Sequence, residues 1–225
     1  MDVLEETPLS CSICSTRKER RFCPAVHAKI CPQCCGRERE VSLDCPSECP
    51  YLQQARREEL PRRLAEVEQA ALLPEVQVRE QFLYEREPLL VGLSYALAQA
   101  GRADRELRDR DLLAALTALA QRYQTRVRSG LVYEHALAGP GQQALVAGIE
   151  QSLAEYRTLE QQHLGAGTLR DSEVLEALVF LVRMGQARTS GRPRSRAYLD
   201  FLLAQFPEKQ GAIASPGEGS KIVLP

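Results

Sequence analysis

A chain of 225 residues has room for one sizeable core and a small satellite, since compact domains run to about 100 to 200 residues. Its formal net charge of −1 at pH 7 sets up no global field for nucleic acid or an anionic membrane, so only local patches can argue for either. The Met1 to Glu6 start has neither a basic region nor an apolar run. The apolar stretches at Leu89 to Ala100 and Val174 to Val182 fall short of the roughly 20 residues that cross a bilayer. The expectation is a cytoplasmic protein without a secretory signal or membrane contact, a compartment in which paired cysteines serve as metal ligands rather than disulfides.

Residues 1–10 are expected to be a flexible leader, 11–50 a zinc-binding module, 51–206 a helical domain and 207–225 a flexible tail rich in Gly, Ser and Pro. All eight cysteines lie between Cys11 and Cys49, in a stretch without helical periodicity. Structural zinc takes four ligands in a tetrahedron, and a pair two to four residues apart lets one tight turn supply two of them. Cys11 with Cys14 and Cys31 with Cys34 have two intervening residues, whereas Cys45 with Cys49 and Cys23 with His27 have three. Four such pairs provide for two ions, both structural, because eight ligands leave no coordination position open for a catalytic water. Cys35 is left over: it replaces Cys34, donates a weak hydrogen bond, or packs as a small apolar group. The alternative for His27 is a surface imidazole beside a site that another ligand, such as Cys35, completes. The module offers few apolar residues besides Leu9, Ile13, Phe22, Val26, Ile30, Val41 and Leu43. Metal must supply most of its folding free energy, on the order of 10 kcal/mol per ion.

The chain order Cys, Cys, Cys, His, Cys, Cys, Cys, Cys resembles that of the RING and B-box families of cross-braced zinc fingers. In those folds the first and third pairs share one metal and the second and fourth share the other. The resemblance implies a first site of Cys11, Cys14, Cys31 and Cys34 and a second of Cys23, His27, Cys45 and Cys49. The loop from Ser15 to Phe22 is shorter than a RING allows, and Pro50 follows the final cysteine where many ubiquitin ligases carry a basic residue. The spacing from Cys14 through Cys34 lies closer to a B-box, whose role is protein association. The Cys34-Cys35-Gly36 run, with Cys45-Pro46 and Cys49-Pro50-Tyr51-Leu52 ahead of a helical tail, also resembles uncharacterised bacterial zinc-module proteins, which implies no activity.

From Tyr51 the chain is rich in Ala, Leu, Glu, Arg and Gln, good helix formers, and its periodicity predicts about six helices up to Phe206. Pro61, Pro74 and Pro88 are each read as opening a helix, and 77–84 as a helical piece. Leu112, Leu116, Leu119, Tyr123 and Val127 share one face, as do Leu145, Ile149, Leu153, Tyr156 and Leu159. A further helix begins at Asp171-Ser172, read as capping residues, and a last one runs from about Arg194 to Phe206. The fold class is mainly α: a small N-terminal cross-braced zinc module followed by an all-helical bundle.

The helical region has no glycine-rich phosphate loop and no Ser nucleophile elbow, and the lone His135 and His163 read as surface groups. The predicted function is a non-enzymatic zinc-binding protein-interaction or adaptor protein with a protein partner. The alternative is a nucleic-acid-binding regulator using the basic residues of 17–21 and the arginines of 188–196. A RING-like ubiquitin ligase is a lesser alternative.

Overall fold

The computed structural model describes residues 10–132, 137, 139–164 and 167–207. Residues 1–9 of the expected leader, His135, the Gly165-Ala166 pair and the tail from 208 lie outside them.

The cysteine-rich segment contains more regular structure than its sequence suggests. Strands β1 (Arg21–Cys23) and β2 (Ala28–Ile30) pair antiparallel, with Arg21 opposite Ile30 and Cys23 opposite Ala28. Alternation along the strands turns Cys23 and Ile30 inward and leaves Phe22 outside. Helix α1 (Pro32–Glu38) follows, with Cys31 as its N-cap. Proline at the first helical position is harmless because that N–H has no intrahelical acceptor. The same logic starts α2 (Pro50–Gln69) directly after Cys49. Pro61 does not open a helix, as its sequence position suggested, but lies inside α2.

Six more helices follow: α3 (Glu80–Glu85), α4 (Glu87–Ala103), α5 (Asp109–Ser129), α6 (Pro140–Leu164), α7 (Asp171–Arg188) and α8 (Ala197–Gln205). With α2 this makes seven after the module among the described residues, and Pro88 stands at the start of α4 as expected. The α7 sequence is apolar on nearly every side, and α7 is accordingly the central helix, with α2, α4, α5 and α8 packed against it. α6 covers α4 and α5. The periodic faces of α5 and α6 are buried as far as Tyr123 and Leu153, whereas Val127 and Leu159 are exposed beyond the end of the core. Asp171 is the first residue of α7 rather than its cap. The orphan N–H of Arg170 is met instead by the Glu173 carboxylate at 2.8 Å. No described helix is long and apolar enough to cross a membrane.

The module has its own small core, largely sulfur: Cys11, Cys23, Cys31, Cys34 and Cys35 around Ile30, with Tyr51 of α2 packed on them. Polar ties hold it to the helices. Arg56 of α2 donates to buried Glu40 and to Asp200 of α8, both at 2.7 Å. Arg192, in the loop after α7, donates through Nη1 to the carbonyls of Gly36 and Arg39 at the end of α1. The Arg194 N–H donates to the Glu40 carbonyl at 2.9 Å, and Arg108 reaches Asp44 at 3.3 Å.

Candidate metal centre

The first expected ligand set is assembled. The sulfurs of Cys11, Cys14, Cys31 and Cys34 all lie within 4.8 Å of one another. A tetrahedral zinc site with Zn–S bonds of about 2.3 Å has sulfur–sulfur edges of about 3.8 Å. Closing onto an ion therefore asks for a movement of no more than about 1 Å at any edge, a small side-chain adjustment. Two turns present the ligands. Cys11 and Cys14 sit in a loop closed by the Ser15 N–H to the Cys11 carbonyl at 2.7 Å. Cys31 and Cys34 flank the first turn of α1, three residues apart and so on one side of the helix.

Donors converge on these sulfurs, as thiolates require. The Cys34 N–H donates to the Cys31 sulfur at 3.4 Å. The Thr16 hydroxyl, and with it the backbone N–H groups of Thr16 and Arg17, lowers the Cys14 thiol to about 5. At Cys11 burial opposes ionisation, but backbone N–H groups of Cys31, Cys14 and Ile13 outweigh it and hold the thiol below its usual range. Cys34 goes the other way: burial, and then the neighbouring Cys31, Cys14 and Cys11 sulfurs, push it up to about 12. Four sulfurs at one point cannot all ionise unless a cation offsets their charge. A divalent ion with four thiolates retains two negative charges, and Arg17 lies beside Cys31 and Cys14 to meet them.

The second expected set is arranged differently. Among the described residues only the first tetrad draws three or more ligand atoms within 4.8 Å. His27 is exposed, in the turn between β1 and β2, at φ 49°. Cys23 and Cys49 are buried and Cys45 is half-buried. Burial pushes the Cys45 thiol up, and the nearby charges of Cys23, Glu40 and Cys49 add to it. Cys35 is buried on that side too, its sulfur 3.8 Å from Nη1 of Arg21.

The arginines read as phosphate contacts divide into two groups. Arg17, Lys18 and Arg20 are exposed on the module. In the second cluster Arg188 lies 3.5 Å over the Phe201 ring, and Arg196 donates to the carbonyls of Arg105, Leu107 and Gly101. Arg183, just upstream, donates to those of Leu72, Leu73 and Val76. With Arg192 on α1, these guanidinium groups serve the fold, and only Arg194 stays exposed. Spacing held no signal for Arg17 beside Cys31 or for Arg192 at the end of α1, because each meets a segment distant in sequence. Comparison of the chain with protein-family models, curated proteins and solved structures gives no match.

Proposed function

We propose that the chain is a non-enzymatic protein-interaction or adaptor protein whose N-terminal module is folded by structural zinc. The observation that carries the zinc reading is the Cys11, Cys14, Cys31 and Cys34 tetrad with its ring of N–H donors and Arg17. Of the two ions proposed, this tetrad would hold the first. The adaptor reading is supported by Phe22, Val26 and Val41, apolar side chains exposed on the module at 57%, 39% and 43%. A knob tied by metal presents such groups rigidly, at low entropic cost to a partner.

The test is metal analysis of the purified chain by native mass spectrometry, followed by partner capture with wild type, Cys31→Ser and Phe22→Ser. Zinc on the wild type, and partners lost in Phe22→Ser while its zinc remains, are the expected results. A chain without zinc sinks the metal reading, and partners indifferent to both substitutions sink the adaptor role.

The nucleic-acid alternative keeps the exposed Arg17, Lys18 and Arg20 but loses most of its second cluster to intramolecular carbonyls. The ligase alternative rests on the order of the ligand pairs alone.

A further inference from the structure

We infer that a second structural zinc ion is held by Cys23, Cys35, Cys45 and Cys49, with four thiolates and without His27. The inference rests on the reading of the module as zinc-bound and goes beyond it in naming the ligands of the second site.

These four cysteines line one cavity of about 10 Å³, room for a single small sphere. They come from four separate places: the end of β1, α1, the loop after α1, and the cap of α2. Among apolar neighbours such as Ile30, Leu43 and Leu52, four groups of metal-ligating chemistry face it. Pro24 and Ala25 of the hairpin turn also line it, but His27, two residues on, does not.

The adjacent pair Cys34-Cys35 explains how one short helix serves two ions. Successive residues on an α-helix point about 100° apart, so Cys34 can face the first tetrad while Cys35 faces the cavity. Both are buried, at 1% and 9% exposure, so neither is a spare surface thiol. No three sulfurs of the second set lie within 4.8 Å of one another, so binding an ion there requires the four side chains to close on it.

Charge argues in the same direction. Four thiolates on a divalent cation leave two negative charges, which need cationic or N–H neighbours in a buried place. Arg21 and Arg39 both line the cavity. Arg21 is braced on the Tyr51 ring at 4.4 Å and points Nη1 at the Cys35 sulfur. Arg39 Nε is buried without a hydrogen-bond partner, a donor that a thiolate would satisfy. The buried Glu40 carboxylate nearby is itself paired with Arg56. As the ion binds, each thiol releases its proton to solvent, so no other reactant is needed.

The experiment uses the full chain, with zinc as the probe, and reads zinc per chain by native mass spectrometry together with the rate of alkylation at each cysteine. Two zinc ions are expected on wild type and on His27→Ala, and one on Cys35→Ser. In Cys35→Ser, Cys23, Cys45 and Cys49 should become reactive while the first tetrad stays protected. Should Cys35→Ser lose both ions, the wild type decides: Cys35 protected to the same degree as Cys45 and Cys49 upholds the assignment, and Cys35 alone reactive overturns it. Loss of the second ion in His27→Ala, with two retained in Cys35→Ser, also overturns it. A wild type with one zinc ion and reactive Cys23, Cys45 and Cys49 refutes the second site while leaving the first intact. A wild type without zinc refutes both.

Discussion

Arg192 donates to the Gly36 and Arg39 carbonyls at 2.9 and 2.6 Å, so that a residue far along the chain closes the end of the helix that carries Cys34 and Cys35. Helix ends leave carbonyls without intrahelical partners, and a charged donor is worth about 1.5 to 3 kcal/mol to such a group. Arg192→Ala is expected to lower stability by about 2 kcal/mol in chemical denaturation and to leave any low-salt affinity for duplex DNA unchanged; a clear fall in that affinity would restore a phosphate role. Tyr198 shows the opposite balance. Its ring is fully buried and its hydroxyl has no hydrogen-bond partner. Burial accordingly pushes its ionisation far above the usual phenol range. Removing an unsatisfied buried hydroxyl relieves a desolvation cost of about 1 to 3 kcal/mol. Tyr198→Phe should therefore raise the denaturation midpoint, and a lowered midpoint would mean that the hydroxyl is satisfied in solution.

Among the elements, α7 is closely packed at Gly185. A Cβ at Gly185 would come within 2.7 Å of the Tyr198 ring and 2.8 Å of Leu113. Alanine improves helix propensity by about 1 kcal/mol over glycine, yet forcing a methyl group into a close-packed site costs about 1 to 3 kcal/mol. The Tyr198 ring is fully enclosed and has nowhere to swing, so the steric effect should win. Gly185→Ala is expected to destabilise by about 1 to 2 kcal/mol, and an unchanged or raised melting temperature would contradict this packing. The helices were legible where an apolar face repeats over several turns, as in α5 and α6. The module's short elements were not. A three-residue strand or a seven-residue helix spans too little sequence to show a period. Pro61 misled for a related reason: proline marks a helix start only statistically, and an exposed helix can carry one inside at a local cost.

At the scale of the whole molecule, Arg86 links three helices. It lies 2.5 Å from the Glu160 carboxylate of α6 and 3.0 Å from that of Glu173 of α7, with all three side chains largely buried. Burial opposes ionisation of Glu160, but the Thr168 hydroxyl and N–H, the Leu169 N–H and Arg86 outweigh it and hold the carboxyl below its ordinary value. Glu173 is lowered likewise, against burial, by the Arg170 N–H, Arg86 and the Arg170 side chain. Both carboxyls thus have a lower pKa folded than unfolded, so the unfolded chain binds more protons in the window between the two values. Their contribution is complete above the unfolded value of about 4.3 and is lost as pH falls through the folded one. Arg86→Met strands two buried carboxylates and should cost about 3 kcal/mol at neutral pH, with a smaller loss once acid neutralises them. Denaturant midpoints of wild type and variant across pH 3 to 7 check this; a gap independent of pH would assign the loss to packing instead.

The sequence alone showed that a cysteine-rich segment precedes a helical one near Pro50 and which cysteines stand as spaced pairs. The joining of Cys11 and Cys14 with Cys31 and Cys34 was implied by the resemblance to cross-braced fingers. Ligand spacing within a turn is a local property, and the covalent chain enforces it whatever the rest of the fold does. Only the tertiary structure decided the surroundings of Cys35 and His27, the fate of the arginines from 183 to 196, and how the module is tied to the helices. Those outcomes depend on which distant groups meet: Arg21 with Cys35, Arg192 with α1, Arg56 with Glu40 and Asp200. Spacing says how two ligands share a turn. It does not say which side of a helix a third will face, and that difference separates the assembled tetrad from the inferred second site.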